Sequence, residues 1–195
     1  MITNKQIVKV LVVINTIYVV YSLFLLLLPN MSFSRNSVWV IVPTILSFIV
    51  FWGLLWVLFI FKEHWWIKLV LIAYLIMQIL GLLIIYFFQD KPITTMLFHF
   101  LINGKYYLTI LLAITLLFVR DKVIRKYLWG LSPLLFFAFL TLRPIGFSYD
   151  EFTMRWMLII KELITQLPFI ILLALNIKLY RFLNTVDLVI KEPII

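Results

Sequence analysis

The chain has 195 residues, 65% of them hydrophobic and only 13% charged, with a mean hydropathy of +1.15. A soluble domain is about 45–50% apolar and about 25% charged, so the composition excludes an ordinary soluble fold and implies an all-α, polytopic membrane protein. The 17 basic residues outnumber the 8 acidic ones, and the absence of cysteine excludes disulfides, thiolate metal sites and cysteine nucleophiles together.

A helix needs about 20 apolar residues to cross a hydrocarbon core of about 30 Å, and six such runs are expected. The first, 7–28, ends at Pro29-Asn30 and lacks the small-residue cleavage pattern of a signal peptide. The second, 38–61, closes at Lys62-Glu63-His64, and the third, 67–88, at Gln89-Asp90-Lys91-Pro92. Only 14 residues separate Lys105 from Arg120, so the fourth span recruits residues back to Leu97. It is expected over 97–119 and takes in His99, Asn103 and Lys105. The Asn103-Gly104 pair is then a place for the helix to break or re-enter, because both residue types tolerate conformations that others avoid. The fifth span is 127–142, bounded by Arg143-Pro144. Counting back from Lys178 places the sixth at 158–177, with Lys161, Glu162, Thr165 and Gln166 within or just under the outer leaflet. All 195 residues form one membrane domain of antiparallel neighbours.

Orientation follows from the basic residues, which stay preferentially in the cytoplasm. With both termini inside, the cytoplasmic set is Lys5, Lys9, Lys62, Lys68, Arg120, Lys122, Arg125, Lys126, Lys178, Arg181 and Lys191, against Arg35, Lys91, Lys105, Arg143, Arg155 and Lys161 outside. This bias accounts for most of the net charge without nucleic acid. The densest cluster, RDKVIRKY at 120–127, reads as a stop signal touching anionic headgroups. Trp39 and Trp156 at outer boundaries, with Trp65, Trp66 and Trp129 at inner ones, fit interfacial belts.

Glu151, Arg155, Glu162 and Gln166 lie at i, i+4, i+11 and i+15, one stripe on a helix of 3.6 residues per turn. Lys161 is one step round. Pro168 removes the hydrogen bond to the Ile164 carbonyl and is expected to kink the segment. A charge at the centre of a span costs at least about 2.5–3.5 kcal/mol, and less near the edge. Three arrangements fit that cost. Lys161 snorkels outward while Glu162 pairs with a neighbour such as Lys105; or the last helix and the 99–105 segment wall an outward-opening polar pocket with Arg143 at its rim; or the helix lies on the membrane surface. The candidate binding set is therefore Glu162, Arg155, Glu151, Lys161, Gln166, His99, Asn103, Lys105 and Arg143, with no catalytic residue, metal or cofactor expected. Asn15, Thr16, Ser22, Thr44, Ser47, Gln78, Thr109, Thr115 and Asn176 are neutral groups able to bond to backbone or to a neighbouring helix.

There is no Walker A loop, HExxH or GxSxG, and His64 and His99 fall on opposite sides of the membrane in this topology. DEFTMR, 150–155, resembles the EExxxR element of the CAAX-protease and bacteriocin-processing family, which implies a water-activating role for Glu151. The resemblance covers six residues, starts on aspartate, and is followed by none of that family's histidine motifs. In gross architecture, six helices with both ends inside and polar groups outside are similar to the substrate-binding subunits of energy-coupling-factor importers, although the first helix lacks their paired alanines.

The expectation is a non-catalytic component of a transport system in the plasma (inner) membrane. It would bind a small solute or lipid from the outer side and rely on a partner for energy, such as an ATPase-containing transporter complex docked on 62–68 and 120–126. The alternative is an accessory, assembly or immunity-type protein acting by helix–helix contact with another membrane protein or peptide. The outsider is a lipid-modifying intramembrane enzyme using Glu162 or Glu151 as base. Membrane lipids are partners in every case, and nucleic acid in none.

Overall fold

The computed structural model describes the backbone of residues 4–26, 38–87, 92–142 and 151–191, and the side chains of 4–24, 41–84, 100, 101, 103–137, 160 and 163–183. These residues form six helices and no strand: α1 (Asn4–Leu26), α2 (Val38–Ile60), α3 (Trp65–Phe87), α4 (Pro92–Leu116), α5 (Lys122–Leu142) and α6 (Glu151–Lys191). Each helix packs on its neighbours in sequence, α1 closes the ring on α6, and α2 also touches α6 across it. One end of the molecule gathers the start of α1, the 61–64 and 117–121 connections, and α6 near Leu183. Accordingly, Asn4 and Val8 share a groove of about 170 Å³ with Trp56, Leu179, Phe182 and Leu183. We call this the loop end.

The core is built mainly from aliphatic side chains in the loop-end half, among them Leu58, Ile67, Leu71, Leu112, Leu116, Ile124, Leu128 and Leu131, all fully buried. The outside is equally apolar: Val10, Ile17, Trp52, Phe59, Phe100, Tyr107 and Phe137 are exposed. Lipid tails are as apolar as leucine, so association between helices draws on close packing and interhelical hydrogen bonds instead of apolar burial. Glycines mark two of the closest approaches. A Cβ on Gly53 would lie 2.5 Å from Leu11 Cδ2 of α1, and one on Gly104 would lie 2.6 Å from Met77 Cε of α3.

The polar side chains mostly bond within their own helices. Thr16, Ser47, Thr109 and Thr115 donate to carbonyls three or four residues back at 2.8–3.0 Å, a satisfaction route that needs no partner helix. Ser132 is different, donating across from α5 to the Ala113 carbonyl of α4 at 2.6 Å. Such bonds average about 0.6 kcal/mol in membrane proteins. Ser132→Ala should therefore lower stability by about that amount in thermal unfolding of the purified chain.

Several expected boundaries move. The helix neither breaks nor re-enters at Asn103-Gly104: α4 is continuous from Pro92 to Leu116, and the missing Gly104 side chain serves contact with Met77. α4 also starts earlier than Leu97, with Pro92 at the first helical position, where an absent N–H costs nothing. α5 begins at Lys122, before Tyr127. α6 runs through Pro168 and on past Ile177 to Lys191, because the charges that end a membrane crossing do not end a helix.

Candidate functional site

At the loop end the 61–64 and 117–121 connections are clasped together. α2 ends in a Schellman motif: Glu63 N–H donates to the Leu58 carbonyl at 3.0 Å and Lys62 N–H to the Phe59 carbonyl at 3.1 Å, with Lys62 in the left-handed region at φ 50°. That turn aims the buried Glu63 carboxylate at the other connection, where it accepts the N–H groups of Arg120 (3.0 Å) and Asp121 (2.8 Å). Asp121 in turn caps α5, its Oδ1 accepting from Val123 N–H at 2.8 Å. Arg125 donates to the carbonyls of Val119 and Arg120, and Trp129 Nε1 donates to the Leu117 carbonyl at 2.9 Å. The polar groups of this clasp are satisfied by one another. It is a structural knot.

Further from the loop end the core turns aromatic, and its polar neighbours are less fully paired. Tyr18 of α1 stacks on Phe169 of α6 with ring centroids 4.1 Å apart, Phe169 meets Phe51 of α2 at 5.7 Å, and Phe51 meets Tyr74 of α3 at 5.0 Å. This aromatic layer ties four helices together. α1 and α3 run away from the loop end and α6 runs toward it, so Ser22, Gln78 and Gln166 all stand one turn further from that end. All three are buried. Lys105 of α4 joins them: the close approach at Gly104 and Met77 brings its ammonium 5.9 Å from the ring centroid of Tyr74. That distance is at the outer edge of cation–π attraction, about 6 Å.

Gln78 Nε2 donates to the Tyr74 hydroxyl at 3.3 Å, while Gln78 Oε1 is buried and among the described residues accepts no hydrogen bond. Asn15, between Leu11 and Tyr18 on the inner face of α1, is fully buried with neither amide atom bonded. An unsatisfied buried polar group costs about 1–3 kcal/mol, so these atoms weaken the layer as it stands. Tyr74 retains its own hydroxyl hydrogen. The layer thus holds an ammonium, a phenol O–H and an amide oxygen. Among the described residues no group of three His, Cys, Asp or Glu side chains is placed to hold a metal.

Of the residues singled out from the sequence, Lys105 and Gln166 belong to this layer, whereas Asn103 is exposed. Arg143 lies outside the described residues, as do the side chains of His99, Glu151, Arg155, Lys161 and Glu162. The backbone is helical throughout Glu151–Lys191, the condition on which the expected stripe of Glu151, Arg155, Glu162 and Gln166 rests. Among the described residues α4 and α6 are not in contact; α5 packs on both, and the wall opposite Lys105 is α3. Tyr18 and Tyr74 were missed. From the sequence Gln78 is only a neutral group able to bond to backbone or to a neighbouring helix, although its i, i+4 spacing from Tyr74 is visible.

Fold and interior define an all-helical protein suited to a membrane: among the described residues, four helices contain stretches long and apolar enough to cross one, Asn4–Phe24, Ile41–Ile60, Trp65–Ile84 and Leu163–Leu183. Compared with known proteins, the chain matches no family model, no curated protein and no solved structure.

Proposed function

We propose that the chain crosses the plasma (inner) membrane six times with both termini in the cytoplasm. It acts there as a non-catalytic binding component of a transport system, taking a small solute or lipid from the outer side and relying on a partner for energy. α4 and α5 have 25 and 21 residues, at about 1.5 Å each enough for a core of about 30 Å. Their outward faces, Phe100, Tyr107, Leu111 and Ile114 on α4 and Trp129, Phe136 and Phe137 on α5, suit lipid. The loop end carries Lys62, Arg120, Lys122 and Lys126, so the basic-residue bias makes it cytoplasmic and turns the polar layer toward the outer leaflet.

The observation that carries the binding role is Lys105, whose charge lies against a buried tyrosine with no described carboxylate bridged to it. Intramembrane charges of this kind mark ligand or ion paths. The test is gentle purification of the full chain, with mass spectrometry of what accompanies it. A small molecule or lipid retained by the wild type and lost from Lys105→Met supports the role; identical contents in both would remove it. Topology is checked separately with single cysteines at Arg35, Lys91 and Asp150, which an impermeant reagent applied outside should label.

One observation favours the helix-contact reading. Val10, Val13, Ile17, Val20 and Phe24 are exposed on α1 at alternating spacings of three and four, a largely β-branched seam of the kind that packs against another helix. Cysteine at Val13 or Ile17 forming a crosslink to a distinct membrane protein would support it.

A further inference from the structure

We infer that the ligand of the Lys105 layer is a small anion that carries its own O–H or N–H donor, such as a hydroxycarboxylate or the glycerophosphate head of a lipid. This rests on the binding role proposed above and narrows it to a chemical class.

The donor set decides the class. The Lys105 ammonium supplies positive charge and three donors, it is half-buried in the described residues, and its described contact is the π face of Tyr74 at 5.9 Å. That leaves it open to an anion. The Tyr74 hydroxyl accepts from Gln78 Nε2 and keeps its own hydrogen as a donor for the anion. Gln78 Oε1 is the opposite kind of group: buried, an acceptor, and unbonded. A bare carboxylate or phosphate would satisfy Lys105 and Tyr74 and leave Gln78 Oε1 orphaned, or repelled if close. A neutral alcohol would satisfy Gln78 and leave the ammonium without a counter-charge. A ligand holding both an anionic group and a donor answers all three, and Gln78 and Tyr74 sit one turn apart on α3, which suits the two features to one small molecule.

The experiment measures binding of lactate, propionate and 1,2-propanediol to the full chain in phosphatidylcholine nanodiscs, by the shift of thermal unfolding and by titration calorimetry. Short-chain phosphatidylglycerol serves as the lipid arm. Lactate, phosphatidylglycerol or both should bind, and lactate, if it is the active source, should bind about fivefold more tightly than propionate, the ratio expected for one hydrogen bond. Lys105→Met should abolish anion binding, Lys105→Arg should keep it, and Gln78→Leu should erase the preference for lactate while leaving propionate unchanged. In Gln78→Leu and Lys105→Arg, an unfolding temperature close to that of the wild type shows that the fold is intact. If lactate binds and the lipid does not, the source is a free solute; the reverse result makes it a headgroup, and either supports the class. Propionate equal to lactate in the wild type, or a lactate preference that survives Gln78→Leu, overturns the inference while the wider binding role stands. Binding of the diol alone overturns the anionic part. Failure of every probe also overturns the inference, and a co-purified ligand of other chemistry would then keep the wider role.

Discussion

Replacing Glu63 by alanine is expected to destabilise the purified chain by about 3 kcal/mol, the largest loss from any single polar side chain described. Its two carboxylate oxygens each accept one backbone N–H, from Arg120 at 3.0 Å and Asp121 at 2.8 Å, and bonds to a charged acceptor are worth about 1.5–3 kcal/mol each. Part of that is recovered because Arg120 is exposed and water replaces the lost acceptor. The turn before it makes the same point: Lys62 holds a left-handed conformation that costs a side-chain-bearing residue about 1–2 kcal/mol, and this strain persists because the Schellman turn it completes delivers Glu63 to the second connection. Glu63→Gln should cost about half as much as Glu63→Ala. Its amide oxygen keeps one N–H, but its NH2 group faces the other donor. Thermal unfolding in one detergent would rank wild type above Glu63→Gln above Glu63→Ala. Equal melting of all three would mean that ring packing alone holds the two connections.

Much of the helix plan was legible because membranes impose a length. Runs of about 20 apolar residues bounded by Pro29-Asn30, Lys62-Glu63 and Gln89-Asp90 locate α1 to α3 to within a few residues, and Arg120 locates the end of α4. The exceptions have physical causes. Length and hydropathy report apolar stretches and not helix ends, and α6 goes on past Lys178 because lysine and arginine are good helix formers. Asn103-Gly104 looked like a breaker, but glycine has a second use, the close approach of two helices, and nothing local in the sequence separates the two. Periodicity gives the face of a helix and not its neighbour. Lys105 is expected to face the last helix, yet among the described residues its neighbour is α3, with Tyr74 and Gln78, and not α6. Asp121 was readable as a helix cap from its place just before Lys122-Val123-Ile124. Glu63 was not, since its partners lie 57 and 58 residues away.

The second large effect is expected where α1 crosses α2. Gly53→Ala places a methyl 2.5 Å and 2.9 Å from the two Cδ atoms of Leu11 and 3.2 Å from its Cγ, so the whole isobutyl group must swing and not only its tip. Leu11 is buried and has little room to do so. Overpacking of this kind costs about 1–3 kcal/mol. Leu11→Ala alone should also destabilise, by leaving a void. The double variant should cost less than the sum of the two single changes by about 1 kcal/mol or more, because the new methyl occupies part of the space that leucine vacates; contacting residues couple in this way. The consequence extends past stability. Asn15 and Tyr18 follow Leu11 at one and two turns on the same face of α1, and Tyr18 packs on Phe169, so pushing α1 off α2 strains the aromatic layer beneath Lys105. On the proposed binding role, Gly53→Ala should weaken retention of the co-purified molecule from a distance, and Leu11→Ala in the same chain should restore part of it. If both retention and melting are the same in Gly53→Ala and the double variant, the spacing of α1 and α2 is not set at this crossing, and the contacts of α1 with α6 must hold Tyr18 in place on their own.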